Sequence, residues 1–500
     1  MERPAGVTGV VVVGAGVGGL AVAARLAAGG HHVTVCERAA EVGGKLGLIQ
    51  VSTSDGEYRF DTGPSLLTFP QVLADLFDET GEPVTSALGL RRLDPIADYR
   101  FADGTRLAMR ADQYARDAAF DDTFGAGSAR QWNAFLSRAE NIWAASRGPF
   151  LESTVDGPLD LLRQTKNIRD VTTIAPWRSL RSLAAHYLDD PRMRMLVDRY
   201  ATYTGSDPRR APAALAAIPY METTYGGWYV EGGLRKIADA LVDRCTALGV
   251  EIRTQADVQK ITVTPDGVTG VRLTDGEVIS ARTVVANTDA EVLYRDLLPL
   301  PRELRKLRRA SRSLSGFVLL LGLSGRTLGL GHHTVLFPEN YDAEFDAVFG
   351  PAARPVPDPT LYISNPADDT VRPPGQEAWF VLVNAPRQGQ VNWREPGLAD
   401  RYAERLLAKL ADRGLDVRDR LRFAKTITPA DLQDRTGAVG GAIYGTSSNG
   451  ARAAFLRPAN KSVVPGLFLV GGSSHPGGGL PLVLLSAQLT AGLVGSEKHR

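Results

Sequence analysis

The sequence predicts an α/β fold whose central sheet is assembled from separated stretches of chain, and three observations predict it. Near the N-terminus, "GVVVVGAGVGGLAVAARLAAGGHHVTVCER" reads as strand, glycine turn, helix and strand. At the other end, "PGLFLVGGSSHPGGGLPLVLLSAQLTAGLV" repeats the strand, glycine turn and helix, with too little chain left for another strand. Between the two, "YGGWYVEGGLRKIADALVDRCTALGVEIRTQADVQKI" returns to helix and strand after one long intervening stretch and before a second.

The first strand is expected at Val10–Val13, the helix at Val17–Ala28, and the second strand at Val33–Cys36, ending in Glu37. The turn carries Gly14, Gly16 and Gly19 in GxGxxG spacing. Gly14 permits the tight turn, Gly16 lets backbone approach a pyrophosphate, and Gly19 lets the helix pack close to the strand. The helix N-terminus offers unpaired N–H groups and a positive dipole end to the phosphates. Glu37 stands where a carboxylate accepts from a ribose hydroxyl, and a glutamate there disfavours the 2′-phosphate of NADP. The alternative is a glycine-rich turn beside a surface glutamate.

A simple NAD domain would continue into its third strand directly after Glu37. Instead "RAAEVGGKLG" brings Gly43, Gly44 and Lys45 together, and "YRFDTGPSLLTFP" follows with an FDxGP turn, which suits extra backbone near a bulky cofactor. In the middle segment, Gly232 and Gly233 precede a helix with Leu234, Ile237 and Leu241 on one face, then strands near Val250–Ile252 and Val258–Val263, and "TVVANTDA" closes the return. The C-terminal turn has no room for a ribose-binding acid of its own, so it completes a site begun elsewhere. Two stretches lie outside these segments. Residues 76–225 read mostly helical after an initial strand pair, and residues 293–455 read mixed, with buried strands at "SGFVLLLGL" and "EAWFVLVNAP".

The GGKLG and FDTGPS segments resemble the flavin amine oxidase and carotenoid (phytoene) desaturase superfamily. The likeness is strongest where Gly472, His475, Pro476, Gly477, Gly479 and Pro481 match its HPGxGxP-type motif. "HHTVLFPENYDAEFDAVFG" and "PTLYISNPADDTVRPPGQEAWFVLVNAP" also resemble carotenoid desaturases, so the resemblance covers nearly the whole chain. It implies a Rossmann-type FAD-binding domain assembled from three chain segments, residues 1–75, 226–292 and 456–500, plus a discontinuous α+β substrate domain from residues 76–225 and 293–455. The pocket then lies between the two.

The resemblance also implies FAD as cofactor. It would be held by Gly14, Ala15, Gly16, Gly18, Gly19, Glu37 and Arg38, by Gly44 and Lys45, by Gly63, Pro64 and Ser65, and by backbone near Val258 at the adenine end. Gly472, Gly479, Leu480 and Pro481 would lie against the isoalloxazine, with the last helix start near N1/O2, where reduction places negative charge. His475 is the candidate catalytic residue, a proton carrier beside the flavin, since histidine titrates near neutrality. The alternative is a histidine that fixes its loop by a hydrogen bond.

Composition excludes other classes. With 44% hydrophobic and 23% charged residues the chain is an ordinary globular protein. A net charge of +1, without a Lys/Arg block, excludes a nucleic-acid binder driven by charge. Cys36 and Cys245 form no CxxC pair, which fits a reducing compartment and a cytoplasmic location. The uncharged stretches Arg3–Arg25 and Val463–Gly495 are broken by glycine and proline, so neither is expected to span a membrane. His31-His32 and His332-His333 lack Cys or carboxylate partners at ligand spacing and read as loop residues, with no metal site.

The reaction implied is C–C desaturation of an acyclic carotenoid, with hydride passing to flavin N5 and a proton leaving the neighbouring carbon. The polyene stabilises the developing cation itself, so alignment and water exclusion are the main demands on the protein. Without a second nucleotide fingerprint, oxygen or a quinone is the expected electron acceptor. "HPGGGLPLVLLSAQ" and "WFVLVNAPR" look closer to hydroxycarotenoid 3,4-desaturases and terminal-methyl oxygenases than to phytoene desaturases. Phytoene desaturation, terminal-methyl oxygenation and action on another polyene or isoprenoid stay open, as do an oxidase of soluble amines and a carotenoid-binding protein that keeps FAD as a structural element.

At about 0.8 kcal/mol per buried carbon unit, such a substrate is drawn from a membrane rather than from water, so peripheral membrane contact is expected. "APWRSLRSLAAHYL", residues 175–188, offers Trp177, Leu180, Leu183 and Leu188 with Arg178 and Arg181 as an interfacial helix. The alternative is a helix packed in the substrate domain with its arginines in water.

Overall fold

The computed structural model describes residues 9–154, 168–450, 453 and 457–497. Its organising element is a five-stranded, wholly parallel sheet. The strands are β1 (Val10–Val13), β2 (Val33–Cys36), β3 (Glu251–Arg253), β4 (Thr283–Ala286) and β5 (Leu467–Leu469), in the order β3-β2-β1-β4-β5. A parallel sheet covered on both faces selects β-branched runs over alternation, and β1 is four valines, all buried. Val10 and Val12 pack against α1 (Val17–Ala28), α2 (Arg235–Ala247) and α3 (Leu480–Glu497), while Val11 and Val13 face a small antiparallel sheet carrying Ile261 and Val271.

The second unit is a seven-stranded sheet. Its order is Leu421–Ile427, Ser315–Ser324, Gln376–Ala385, Leu361–Ser364, His333–Leu336, Ala97–Arg100 and Arg106–Met109, antiparallel except where His333–Leu336 meets Ala97–Arg100. Helix Leu398–Asp412 covers one face through Leu406 and Leu410 on Trp379. The hairpin Leu48–Asp61 lays Tyr58 and Phe60 on the other, against Leu320 and Phe380. Helices Gln113–Phe124, Ser128–Ser146, Leu180–Tyr187 and Pro191–Thr202 close around the Ala97–Met109 end.

Two sequence expectations are corrected. Residues 175–188 form no interfacial helix. The helix there spans only Leu180–Tyr187, and Leu180, Leu183 and Leu188 are fully buried in the second core. Arg181 is ion-paired to Asp198 at 2.8 Å and Asp342 at 2.6 Å, and Trp177, 66% exposed, lies outside the helix. A leucine stripe at helical spacing serves lipid and core alike, and here tertiary packing claims it. His332 does lie in a bend, but His333 is not a loop residue: it opens a strand, and burial keeps both neutral, His332 shifted down to about 3. No group of His, Cys, Asp and Glu able to hold a metal occurs among the described residues, and no described helix is long and apolar enough to cross a membrane.

Candidate active site

The carboxyl ends of the parallel strands converge at the point where the strand order reverses between β1 and β4, which is where open α/β sheets form their ligand crevice. Backbone bonds hold these ends together: Gly14 N–H donates to Cys36 O at 2.8 Å, Asn287 N–H to Val13 O at 2.8 Å, and Val470 N–H to Ala286 O at 3.0 Å. Asn287, directly after β4, also donates its side-chain amide to Gly14 O at 3.1 Å. Gly19 is required by packing, since a Cβ there would stand 2.0 Å from Gly14 O. Gly16 caps α1 without any side-chain hydrogen bond, leaving the first-turn N–H groups to a ligand.

Glu37 bends back onto this turn. One carboxylate oxygen accepts from Ala15 N–H at 2.7 Å and the other from Ala39 N–H at 2.9 Å. The segment that follows lies on the first turn, with Gly43 N–H donating to Ala15 O at 2.8 Å. Lys45 is deep within the fold yet exposed, because it faces an internal cleft. Its ammonium donates to the carbonyls of Ala442 at 3.1 Å and Ile443 at 2.5 Å, and burial lowers it to about 8. Gly63 packs on that strand of chain so closely that a Cβ would meet Lys45 O at 2.4 Å. Arg38 is exposed and donates to Asp434 O at 3.1 Å, and Val258 is buried at the start of its strand, close to β2.

The last glycine loop closes the cleft from the far side. Gly471 follows β5, Arg457 clamps Gly472 O at 2.8 Å and Thr446 O at 2.7 Å, and burial lowers its guanidinium to about 10. Gly479 has φ +107° with open space where a Cβ would project, at the start of α3. A left-handed glycine beside a void, at a helix N-terminus, next to a deep but accessible lysine, is a cradle shaped for a bulky anionic group. The residues present therefore fit a flavin dinucleotide.

His475 is anchored at three points. Its N–H donates to Pro458 O at 2.9 Å, its carbonyl accepts from Asn460 Nδ2 at 2.9 Å, and its ring Nε2 lies 3.0 Å from Ser153 O, which requires the proton on Nε2. Burial lowers the ring to about 4, so it is neutral across the physiological range.

Several cleft residues carried no local signal. Tyr203, Tyr362 and Tyr444 lie deep in the fold with part of each side chain accessible, and burial raises each phenol above its ordinary range. Ser65 Oγ is 2.5 Å from Tyr362 Oη, which joins the FDTGPS turn to the second sheet. Asn287 lies within the "TVVANTDA" stretch and could have been found only from the turn-like residues after its valines; Arg457 had no such cue.

Comparison with known proteins follows the same lines. The sequence pattern described as flavin containing amine oxidoreductase matches residues 17–495. The chain is similar to 4,4'-diapolycopene oxygenase of Methylomonas sp, 33% identical over 96% of this chain and 96% of that protein. It is equally similar, at 33% over 97% of this chain and 98% of the other, to 1-hydroxycarotenoid 3,4-desaturase of Flavobacterium sp. (strain P99-3). Among solved structures, cyclohexylamine oxidase from Brevibacterium oxydans IH-35A shares the fold at a TM-score of 0.64, with 15% identity over 99% of this chain and 100% of that one.

Proposed function

Since the chain belongs to the flavin-containing amine oxidoreductase family, in its carotenoid desaturase branch, we propose that this FAD-dependent oxidoreductase introduces C=C bonds into an acyclic carotenoid, at a late or terminal step such as hydroxycarotenoid 3,4-desaturation. One observation carries the reading: similarity to carotenoid-modifying enzymes runs the whole length of the chain, through the cofactor unit and the substrate unit alike. When bound, FAD supplies the two-electron acceptor. In this proposal Gly14, Ala15, Gly16, Gly18, Gly19, Glu37 and Arg38 bind its ADP half, with backbone near Val258. Gly44, Lys45, Gly63, Pro64, Ser65, Gly472, Gly479, Leu480 and Pro481 surround its reactive half.

The remaining tasks are orientation and water exclusion. In this proposal the polyene lies between the two units, where Tyr203, Tyr362 and Tyr444 would present flat, largely apolar walls to it. His475 holds the Gly472–Gly479 loop in place through its three hydrogen bonds, and its neutral ring suits that positioning role. The cationic groups Lys45 and Arg457 disfavour an amine substrate, which would arrive positively charged. Oxygen or a quinone would accept the electrons.

Uptake from a bilayer completes the proposal. The surface helix Pro301–Arg308 exposes Arg302, Arg305, Lys306 and Arg308, followed by exposed Arg309, a charge set that an anionic membrane surface attracts. Expression in hosts accumulating phytoene, lycopene or a 1-hydroxylated carotenoid tests the activity. A loss of two hydrogens with a red shift marks desaturation, and added oxygen marks an oxygenase. Conversion of phytoene alone would refute the late step, and no change in any host would refute the carotenoid reading.

A further inference from the structure

One wall of the cleft carries a charge that a hydrocarbon pocket does not need. Arg199, in the last turn of helix Pro191–Thr202, is only 8% accessible, and its guanidinium lies 5.0 Å from the ring centre of Tyr203, 5.4 Å from that of Tyr362 and 5.9 Å from that of Tyr99. It donates to Tyr203 Oη at 2.5 Å. Among the described residues it makes no ion pair, and its other donors have no protein partner. Those donors are not fully sealed, as the orphan Nε of Arg25 and Arg116 are, so they keep a little access to a small polar group.

Elsewhere on the same stretch the chain matches its arginines directly with carboxylates: Arg181 with Asp198 at 2.8 Å, and Arg209 with Asp207 at 2.8 Å. The acid nearest to serving Arg199, Glu222, is instead reached through hydroxyls. Its carboxylate accepts from Tyr200 Oη at 2.6 Å and from Tyr203 Oη at 3.5 Å. A desolvated cation left with free donors is costly unless something arrives to pair with them. The helix C-terminal dipole offsets part of that cost, but dipoles do not satisfy N–H groups.

The group that fits must accept from Arg199 and donate to Glu222 or a tyrosine oxygen, as a hydroxyl does. An ammonium would be repelled by Arg199, a carboxylate would meet buried Glu222, and a bare methyl end would strip water from the guanidinium without replacing it. Location adds a second constraint. Tyr362, whose ring Arg199 covers, is itself 2.5 Å from Ser65 Oγ in the FDTGPS turn, so one tyrosine separates the guanidinium from the flavin side of the cleft. Only the carbon–carbon bonds nearest an end held there would reach that side.

We propose that Arg199, positioned by Tyr203 and Glu222, is a specificity-determining anchor for a hydroxyl at the end of the polyene, and that it selects terminally oxygenated acyclic carotenoids over hydrocarbon ones. The proposal rests on the carotenoid reading above. The test compares purified, FAD-loaded wild type, Arg199→Gln and Tyr203→Phe on a detergent-dispersed 1-hydroxylated acyclic carotenoid and on lycopene. Wild type should prefer the hydroxylated substrate at least about tenfold in kcat/KM. Arg199→Gln should lose roughly ten- to a hundredfold on it, mainly through KM, and Tyr203→Phe about three- to tenfold, each a larger loss than the same variant shows on lycopene. Flavin content and melting midpoint serve as controls, and if Arg199→Gln does not fold, the Tyr203→Phe substrate ratio decides. Equal losses on both substrates, or a wild type indifferent to the hydroxyl, would overturn the anchor alone. A wild type that converts neither carotenoid would overturn the carotenoid reading and the anchor with it.

Discussion

Replacing Glu37 by alanine separates what the turn owes to its own chain from what it owes to the cofactor. In the folded chain the carboxylate satisfies two backbone donors, Ala15 N–H at 2.7 Å and Ala39 N–H at 2.9 Å. A sealed donor left unpaired costs about 1–3 kcal/mol, but Glu37 is half-buried and water can replace part of what is lost, so the apoprotein should weaken by about 1 kcal/mol. A carboxylate accepting from a ribose hydroxyl contributes about 1.5–3 kcal/mol, so FAD should dissociate roughly ten- to a hundredfold more readily. Glu37→Gln keeps the shape, yet its NH2 must face one of the two N–H donors, and it should fall between the two in both measurements. Flavin-fluorescence titration of the apoprotein gives Kd, and thermal unfolding without flavin gives the stability term. An alanine variant that binds FAD as tightly as wild type would refute the cradle assignment. One whose apoprotein no longer folds would make Glu37 chiefly a clamp on the turn.

Gly63→Ala should cost about 1–3 kcal/mol by overpacking, because its Cβ would stand 2.4 Å from the Lys45 carbonyl oxygen, and should release flavin on dilution; an unchanged melting midpoint and flavin content would count against the contact. Buried neutral histidines make folding depend on pH with a definite sign. His475 is depressed from an ordinary 6.5 to about 4, so the unfolded chain takes the proton first, and stability present above pH 6.5 is lost as pH falls towards 4. Asp61 and Asp198, each raised to about 6 by burial, oppose this, which is why the variant difference is the useful quantity. Between pH 5 and 6, His475→Gln should lower the slope of stability against pH, relative to wild type, by up to about 1.4 kcal/mol per pH unit, roughly one proton, and should keep most of its turnover. A hundredfold loss of turnover would instead make His475 a proton carrier. On liposome flotation, Arg302→Glu with Arg305→Glu and Arg309→Glu should weaken binding to anionic vesicles at least about tenfold, while Trp177→Ser should change it little; the opposite order would return the membrane contact to residues 175–188.

The elements legible in the sequence are those whose cause is local. Val10–Val13 can only be a strand buried on both faces, and Gly14, Gly16 and Gly19 fix the turn and the helix that follows, because each requirement is met within a few residues. Asn287 was not legible as a clamp on that turn, since its place depends on β4 pairing with β1 in the register Val13↔Ala286, across most of the first half of the chain. Lys45 could be singled out by resemblance, but its partners are backbone carbonyls at Ala442 and Ile443, which leave no side-chain signature. The leucines of residues 180–188 had the right spacing for lipid and were taken by the core. "HHTVLF" was too short for its alternation to show that His333 lies inside a sheet.

This division follows from how the two ligands are held. A dinucleotide is gripped by backbone N–H groups and excluded side chains, and that demand appears as glycines at fixed spacing, so the cofactor site is written in contiguous motifs. A substrate is chosen by side chains, and nothing obliges those to be neighbours in sequence. The cluster around Arg199 draws Ser65 from the first glycine-rich segment, Tyr99 and Tyr362 from two strands of the large sheet, and Glu222 from a helix that begins at Ala217. "DRYATYTG" by itself reads as an amphipathic helix end, with an arginine no different from Arg181 or Arg209. Only the fold reveals that those two have carboxylates at 2.8 Å while Arg199 has none among the described residues. Paralogues sharing every glycine of the cofactor motif could therefore differ in substrate through that one cluster, and exchanging Arg199, Tyr203 and Glu222 as a set should move terminal-oxygen selectivity without moving flavin affinity.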